Sequence, residues 1–197
     1  MKIAVMGYGT IGSGVVEVLD INKDRITERA GEPVEVKYVL DLREFPGDPM
    51  EDKIVHDYKT IVEDKEVGIV VETMGGVEPA YTFVKAMLEA DKSVTTSHKA
   101  LVAEKGADLI RIAREHNVNV QFEASVGGGI PIIRPLNKCL TADEIEEITG
   151  ILNGTTNYMR TKMADEGADF DDVLKDAQEK QPCKSRQKEC RILSCKL

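Results

Sequence analysis

The sequence predicts an α/β fold in which a doubly wound parallel sheet is followed by a smaller, incomplete α+β unit. Short β-branched runs alternate with segments of helical apolar spacing as far as residue 122, which is the pattern of repeated βαβ units. The pattern changes after residue 130, where Pro131 and Pro135 interrupt an apolar run. With 42% hydrophobic and 31% charged residues in 197, the chain has ordinary globular composition and can bury a core.

Six short apolar runs are predicted strands of the parallel sheet. The run Ile69-Val70-Val71 is continuous, which is typical of a strand buried on both faces. Helical segments separate most of the runs, so right-handed crossovers would place the strands parallel. The predicted strands are residues 2–6, 34–40, 54–55, 67–72, 93–96 and 118–122.

Helices are predicted between these strands from apolar residues three and four positions apart. Residues 11–19 carry the first such stripe, Pro79 begins the second, and residues 104–116 carry the third. These stripes are interpreted as core. Beyond residue 130, residues 145–152 alternate like a strand and residues 169–180 are predicted to be helical.

Charge and apolar patterning exclude several classes of partner. The formal charge of −9 argues against nucleic acid as the main partner, because Lys and Arg drive binding to phosphate backbones. A membrane-spanning helix would need a run of about 18 apolar residues, and the sequence contains none. The apolar run at the N-terminus is too short for a signal sequence. A cytoplasmic chain is expected. The four cysteines match no metal-binding spacing and are expected to be thiols in a reducing compartment.

A glycine motif follows the first predicted strand. Gly7-x-Gly9-x-x-Gly12 opens the first predicted helix, which is the context in which this pattern indicates dinucleotide binding. Gly7 permits the tight turn, Gly9 lets the backbone approach a pyrophosphate, and Gly12 lets helix and strand pack closely. The helix N-terminus then supplies N–H groups to the anion.

The second strand ends at Asp41, whose carboxylate can accept hydrogen bonds from adenosine ribose hydroxyls and would repel a 2′-phosphate. This favours NAD over NADP. Two observations oppose it: Arg43 can pair with a phosphate, and Asp41 lies 29 residues after Gly12, farther than the usual spacing of about 20. An insertion at residues 22–33 would absorb the excess. The alternative is that Asp41 is a solvated loop residue.

Polar residues also follow the fourth and fifth predicted strands. Ligands bind outside the carboxyl ends of the strands in open α/β sheets, so Lys99 is placed toward the nicotinamide position of a dinucleotide. There it would orient a substrate carboxylate or hydroxyl, or transfer a proton. The alternative is an ordinary surface lysine at a helix start. His98 is interpreted as a solvated or core-edge residue.

Two further loops carry candidate ligands. Glu123 and the backbone oxygens around three consecutive glycines, Gly127-Gly128-Gly129, can coordinate a hard cation, and the same loop can serve as an interdomain hinge. The segment Asn153-Gly154-Thr155-Thr156-Asn157 precedes a predicted helix and, without other context, is interpreted as an N-cap cluster.

Five of these motifs together resemble the homoserine dehydrogenase family, in the same order and at fitting spacings. The matching segments are residues 7–14, 72–76, 99–103, 123–136 and 151–158. The resemblance implies a Rossmann-like NAD(P)-binding domain at residues 1–130 and a partial substrate-binding and dimerisation domain at residues 131–180. It implies NAD(P)-dependent interconversion of L-homoserine and L-aspartate 4-semialdehyde, toward threonine and methionine, by a homodimer in the full-length family.

The resemblance also implies roles for individual residues. Gly9, Thr10, Ile11 and Gly12 would hold the cofactor, while Thr73 and Lys99 would lie beside the nicotinamide and substrate. The sodium-binding positions of the family match Glu123, Val126, Gly128 and Ile130, the last three through backbone carbonyls. A substrate-side turn matches Asn153, Gly154 and Thr155.

The sequence departs from the family at two places. His98 stands where the family commonly has Asn, next to Lys99. After residue 180 the family continues with a Gly-Tyr-Ala-Glu segment and an Asp-x-x-x-Lys helix, which supply the substrate-binding carboxylates and the proton-donor lysine. Residues 181–197 contain neither; they hold five basic residues, one acidic residue and three of the four cysteines. We therefore predict a truncated chain with a frameshift near residue 180.

These departures leave three functional hypotheses. One is an active homoserine dehydrogenase, and the second is a catalytically inactive dinucleotide-binding fragment of that enzyme. A semialdehyde or dihydrodipicolinate reductase is the third, which the turn at residues 153–157 disfavours. An incomplete second domain would leave residues 145–152 as an unpaired edge strand, so low solubility is expected.

Overall fold

The structure is a computed structural model that describes residues 1–150 and 154–180. The first part of the chain alternates strands and helices. In chain order its elements are β1 (Lys2–Met6), α1 (Thr10–Ile21), α2 (Lys23–Ala30), β2 (Glu35–Leu40), a 3₁₀ turn (Glu51–Lys53), β3 (Ile54–Val55), α3 (Lys59–Glu63), β4 (Val67–Glu72), α4 (Val77–Glu89), β5 (Ser93–Thr96), α5 (Lys99–Glu115), β6 (Val120–Gln121), α6 (Glu123–Val126) and α7 (Ile133–Cys139). Two more helices follow, α8 (Gly154–Asp165) and α9 (Phe170–Lys180).

The six strands form one parallel sheet in the order β3-β2-β1-β4-β5-β6. This confirms the predicted doubly wound α/β fold. The chain runs outward from β1 to β3 on one side and from β4 to β6 on the other. The order therefore reverses between β1 and β4, which is the point where such sheets bind ligands.

Strand β1 shows why the sheet is buried on both faces. Ala4 and Met6 belong to the core under α4 and α5, whereas Ile3 and Val5 belong to the core under α1. Successive strand side chains point to opposite faces, so a continuous apolar run is needed to fill both cores. Burial on both faces thus holds β1 in the sheet, and with it the start of the glycine turn that follows β1.

Helix boundaries differ from the sequence predictions at several places. Helix α5 begins at Lys99 rather than at residue 104, and β6 covers only two of the five residues predicted. The segment treated as an insertion contains α2, which has no buried residue and ends at Gly31, where φ is +79°. The apolar residues of α2 are Ile26 and Ala30 alone, which are too few to give a recognisable apolar period.

The strand predicted at residues 145–152 is wrong where the structure describes it. Residues 144–150 have no regular secondary structure, and Ile145 and Ile148 are about half exposed. A strand needs a neighbour for its backbone N–H and C=O groups, and none of the six described strands pairs with this segment. Residues 151 and 152 lie outside the described residues.

Contacts divide the chain into two units between Thr141 and Ala142. In the second unit α8 and α9 pack through a small core of Met159, Val173, Leu174 and Ala177. Lys162 pairs with Asp176 at 3.0 Å across the two helices. The predicted helix at residues 169–180 is confirmed from Phe170. The division of roles at residue 130 stays a prediction, and the predicted tail at residues 181–197 lies outside the described residues.

No helix in the ranges 1–150 and 154–180 combines the length and apolarity needed to cross a membrane.

Asp64 ties β2 to the start of β4 and makes the stability of the sheet sensitive to acid. Its carboxylate lies 2.5 Å from Lys37 Nζ and accepts from the Tyr38 hydroxyl at 2.9 Å and the Glu66 N–H at 2.9 Å. The Lys37 hydrogen bond, with those from Glu66 and Tyr38, lowers the pKa of Asp64 to about 2 despite burial. A carboxyl pKa below its unfolded value, about 3.9, stabilises the folded state above that value and loses the contribution as pH falls.

We expect Asp64→Asn to lower the free energy of unfolding at pH 7. The deficit relative to the unmodified chain should shrink as pH falls from about 4 to about 2, the window between the unfolded and folded pKa values. Urea unfolding followed by circular dichroism at several pH values measures this difference. The exposed Asp20→Asn is the control; a deficit that stays constant across the window contradicts the prediction.

Candidate dinucleotide site

The glycine turn is held between the ends of β2 and β4. Gly7 has φ +95°, and its N–H donates to the Leu40 carbonyl at 2.8 Å. A Cβ on Gly12 would lie 1.9 Å from the Gly7 carbonyl oxygen, so only glycine lets α1 pack this closely. A Cβ on Gly9, by contrast, would meet no atom within 4 Å. The turn therefore has open space at the glycine assigned to the pyrophosphate.

The N-terminus of α1 fits an anion. The first N–H groups of a helix have no partner within the helix, and here no side chain caps them. The first turn, Thr10, Ile11 and Gly12, contains no acidic residue. Ser13 turns its hydroxyl back to the Gly9 carbonyl at 2.9 Å and so does not compete for the site. The unpartnered N–H groups and the helix dipole favour a phosphate.

Thr73 joins the end of β4 to the glycine turn. Its N–H donates to the Met6 carbonyl at 2.9 Å, and its hydroxyl lies 3.1 Å from that oxygen and 2.9 Å from the Gly7 carbonyl. The Thr73 hydroxyl would also lie 3.0 Å from a Cβ on Gly12. Thr73 therefore lies at the point where the strand order reverses. The nicotinamide contact assigned to it stays a prediction.

Asp41 lies beside the turn rather than in solvent. Its side chain is 10% exposed, and its carboxylate accepts the Tyr8 N–H at 2.8 Å. Arg43 donates to the same carboxylate from Nε and Nη2, both at 2.9 Å, and from Nη2 to the Tyr8 carbonyl at 3.1 Å. The solvated-loop interpretation of Asp41 is thus wrong. The helix α2 between α1 and β2 accounts for the long spacing from Gly12.

The electrostatics of this pair keep Asp41 ionised. Hydrogen bonding from the Arg43 guanidinium, together with the backbone N–H groups of Arg43 and Tyr8, holds the pKa of Asp41 far below its usual range despite partial burial. The His56 ring lies 2.7 Å from the Asp41 carbonyl, and that contact raises the pKa of His56. At neutral pH the turn therefore faces an ionised carboxylate that is paired with the Arg43 guanidinium and accepts two N–H groups on each oxygen.

A buried carboxyl group that the sequence analysis assigned no role lies at the ends of β4 and β5. Glu72 is fully buried, accepts the Met74 N–H at 2.7 Å and accepts the Thr96 hydroxyl. Its Oε1 lies 3.8 Å from His98 Nδ1. Burial raises the pKa of Glu72, against the hydrogen bonds from Thr96 and Met74. An acidic residue ending a buried apolar strand is the sequence signal for this group.

Lys99 is exposed as the first residue of α5. It forms no ion pair with any residue in the described parts of the chain. The turn before it is held by the His98 N–H, which donates to the Thr96 hydroxyl at 3.0 Å. Its site role and the surface-lysine alternative both stay predictions.

The glycine-rich loop after β6 is organised by Glu123. The carboxylate accepts the N–H groups of Ile132, Ile133 at 2.8 Å and Arg134 at 3.0 Å, which open α7. Burial acts to raise the pKa of Glu123, but these three donors outweigh it and the pKa is lowered. Within the loop, the Gly127 carbonyl accepts the Ile130 N–H at 3.2 Å. Val126 ends α6, and Gly128 and Ile130 are exposed.

The substrate-side turn is only partly described. Asn153 lies outside the described residues, and α8 begins at Gly154. Gly154 and Thr155 therefore belong to the first helical turn rather than to a loop that precedes it. Their substrate contact stays a prediction.

The sheet order, the glycine turn at its reversal point and the acidic residue after β2 define a Rossmann-fold dinucleotide-binding protein. Family comparison specifies the kind. The family model "Homoserine dehydrogenase, NAD binding domain" matches residues 7–123, and "Homoserine dehydrogenase" matches residues 131–185. The chain belongs to the homoserine dehydrogenase family, as the five motifs indicated.

Individual relatives agree with this assignment. The chain is 43% identical to a homoserine dehydrogenase of Synechocystis over 183 residues and 37% identical to that of Bacillus subtilis over 182; each match covers 91% of this chain and 42% of the relative. Among solved structures, a homoserine dehydrogenase from Thiobacillus denitrificans aligns with a TM-score of 0.85 at 39% identity, covering 94% of this chain and 44% of that one. The chain thus spans less than half the length of these relatives.

One solved neighbour carries a cofactor. A hyperthermophilic archaeal homoserine dehydrogenase in complex with NADPH aligns with a TM-score of 0.78 at 26% identity, over 90% of this chain and 60% of that one. The reductase alternatives of the sequence analysis are therefore set aside in favour of this family.

Proposed function

We propose that the chain binds a nicotinamide dinucleotide as the cofactor part of a homoserine dehydrogenase. In the whole protein this part would serve the interconversion of L-homoserine, a small-molecule substrate, and L-aspartate 4-semialdehyde. The observation that carries the proposal is the turn at the reversal point of the sheet. It combines open space at Gly9 with uncapped N–H groups at the start of α1.

The bound cofactor would supply the hydride acceptor or donor of the reaction. This chain's own residues would bind and orient it: the α1 N-terminus at the pyrophosphate, Asp41 at the adenosine ribose, and Thr73 beside the ring. Lys99, an exposed cation at the carboxyl edge of the sheet, would attract and orient the substrate carboxylate or hydroxyl. The homodimer of the full-length family is part of the same proposal.

NAD is the proposed preference over NADP. The ionised Asp41 would accept from the ribose hydroxyls in exchange for N–H groups that it accepts now, and it would repel a 2′-phosphate. Arg43, the residue that opposed this preference in the sequence, is already bound to Asp41 through two nitrogens. Its charge is therefore directed to Asp41 rather than to a phosphate.

A sodium ion at Glu123, Val126, Gly128 and Ile130 is proposed from the family resemblance. Oxygen donors of this type suit a hard cation. In the structure Oε1 of Glu123 accepts two N–H groups and Oε2 one, so a single lone pair of Oε2 is free to join the backbone carbonyls. Replacing Na⁺ by K⁺ in the binding experiment below should weaken NADH binding if the ion orders this loop.

The second candidate function is dinucleotide binding without turnover. It is favoured by the absence from residues 181–197 of the carboxylates and lysine that the family uses on the substrate. It shares the cofactor site of the first candidate and differs from it in the chemical step alone. The predicted frameshift is part of this candidate.

A paired assay separates the two candidates. The chain has no tryptophan, so NADH fluorescence can be titrated without interference from protein emission of that kind. Saturable NADH binding with reduction of NAD by L-homoserine supports the dehydrogenase; binding without reduction supports the fragment, and no binding overturns both. Intact mass from the natural source and the DNA sequence through codon 180 test the frameshift, since 21.7 kDa is the mass of this chain.

A further inference from the structure

The Glu72 carboxylate links two turns of the dinucleotide site. Its Oε1 accepts the N–H of Met74, in the turn that also holds Thr73, and its Oε2 accepts the hydroxyl of Thr96. That hydroxyl in turn accepts the N–H of His98 at 3.0 Å, immediately before Lys99. The parallel register of β4 and β5 places Glu72 opposite Thr96. A single buried group thus connects the cofactor side of the site to the lysine.

One polar atom in this cluster lacks a partner. His98 Nδ1 is buried and makes no hydrogen bond, although the His98 side chain as a whole is 16% exposed. Glu72 Oε1 lies 3.8 Å from this nitrogen. Buried ring nitrogens are normally hydrogen-bonded. A movement of less than about 1 Å would bring the two atoms to the distance of a charge-assisted hydrogen bond.

We propose that His98 is a positioning residue for Lys99, and that it acts by sharing a proton with the buried Glu72 carboxylate when a nicotinamide dinucleotide is bound. The proton on Nδ1 closes the contact with Oε1 and fixes the first residues of α5. The proposal rests on the proposed function, because it assumes that the dinucleotide binds at this edge of the sheet. The family resemblance assigns Lys99 to that site but gives His98 no role.

Among the described residues, His98 is the one charged partner that acts on the pKa of Glu72 by its charge. On the adjoining helices the ionisable residues closest along the chain are Lys99, which begins α5, and Glu123, which begins α6 and whose carboxylate is held by the backbone N–H groups of α7. On α4 the acidic residue of the first turn is Glu78, exposed and 3.8 Å from Lys105. The strands β1 and β6 end in Met6 and Gln121, which do not titrate. The pair can therefore be tested by varying pH.

The proposal predicts a pH-dependent affinity for NADH. With the proton present His98 draws α5 toward Glu72, so NADH should bind more tightly at pH 5.5 than at pH 8. We expect a difference of at least threefold in the unmodified chain. His98→Asn, whose amide donates at every pH, should bind with a flat profile, and His98→Ala should bind weakly throughout.

Three variants serve as controls for this titration. His116→Asn removes a partly exposed histidine at the other end of α5, paired with Asp91 at 3.0 Å, and should keep the profile of the unmodified chain. His56→Asn removes the imidazole ring beside Asp41. Its pH profile, compared with that of the unmodified chain, shows how much of the pH dependence arises near the proposed ribose site. If His98 acts through Lys99, adding His98→Asn to the Lys99→Met variant should not change the pH profile further. This comparison is a double-mutant test of coupling.

Nuclear magnetic resonance gives a readout independent of affinity. The chain has three histidines, so each ring can be assigned from the single-site variants. NADH should shift the ring nitrogens of His98 toward the protonated form and leave those of His116 unchanged. A purely structural role for His98 would not move its protonation.

The outcomes separate this inference from the proposed function. If the unmodified chain fails to bind NADH, both are overturned. If it binds NADH but the affinity does not change with pH, or if His98→Asn keeps the pH dependence of the unmodified chain, the role of His98 is overturned and the proposed function stands. A pH dependence of NADH affinity that is lost in His98→Asn and kept in His116→Asn supports the inference.

Discussion

Replacing Gly12 by alanine is expected to abolish NADH binding and to lower the free energy of unfolding by about 3 kcal/mol. The added Cβ would lie 1.9 Å from the Gly7 carbonyl oxygen and 3.0 Å from the Thr73 hydroxyl. The first neighbour is backbone in a turn that is hydrogen-bonded to Leu40, so it cannot move aside like a flexible side chain. Relief requires α1 to shift away from β1, which displaces the N–H groups that receive the phosphate.

Gly14→Ala is the matched control. It lies two residues later on the same helix, and a Cβ there would meet no atom within 4 Å. Since alanine favours helix over glycine by up to about 1 kcal/mol, this variant should be slightly stabilised and should bind NADH normally. Urea unfolding and NADH titration of both variants measure the contrast. Equal behaviour of the two would show that close packing at Gly12 does not maintain the site.

The sheet could be predicted from sequence because its strands must fill two cores. Continuous apolar runs such as residues 69–71 have no polar face, and only a strand buried on both sides satisfies them. All six strands predicted for the parallel sheet are present; five keep their predicted bounds to within one residue, and β6 is shortened from five residues to two. The spacing of the glycines after the first strand then predicted where the turn lies. This prediction was possible because the close approaches at Gly7 and Gly12 exclude residues with side chains.

Elements without an apolar period escaped prediction. Helix α2 buries no residue, so its sequence resembles a solvated loop. The first turn of α5 was missed because its start is marked by a backbone N–H bonded to Thr96 instead of by a capping side chain at His98. The opposite error occurred at residues 145–150, where alternation was present but a pairing strand was not. A local alternation of apolar and polar residues does not show whether another strand is available for pairing.

Contacts in the candidate site depend on which strand ends are adjacent. Glu72 and His98 are 26 residues apart and meet because β4 and β5 pair in register. Arg43, considered in the sequence as a phosphate ligand, instead folds back on Asp41. Both outcomes depend on side-chain geometry after folding. Sequence reasoning located the edge of the sheet where these groups lie but not the pairs they form.

We expect Asp41→Asn to change the relative affinity for NADH and NADPH by about a hundredfold in favour of NADPH. The substitution keeps the shape of the side chain and an oxygen for the Tyr8 N–H. It removes the negative charge that repels a 2′-phosphate and weakens the bidentate hold on Arg43. A hundredfold ratio corresponds to about 2.7 kcal/mol, and a hydrogen bond to a charged group contributes roughly 1.5–3 kcal/mol, so gaining one such bond toward the phosphate accounts for a ratio of this size.

Fluorescence titration with each nucleotide at constant ionic strength measures the change. Glu44→Gln is the control, since it removes a carboxylate from the same loop that contacts His56 at 3.0 Å and not the glycine turn. Asp41→Asn with Arg43→Ala should lose the gained NADPH affinity, because the guanidinium would no longer be present to meet the phosphate. A double variant that keeps the NADPH preference would show that Arg43 takes no part. An unchanged ratio in Asp41→Asn itself would place the adenosine ribose away from the end of β2.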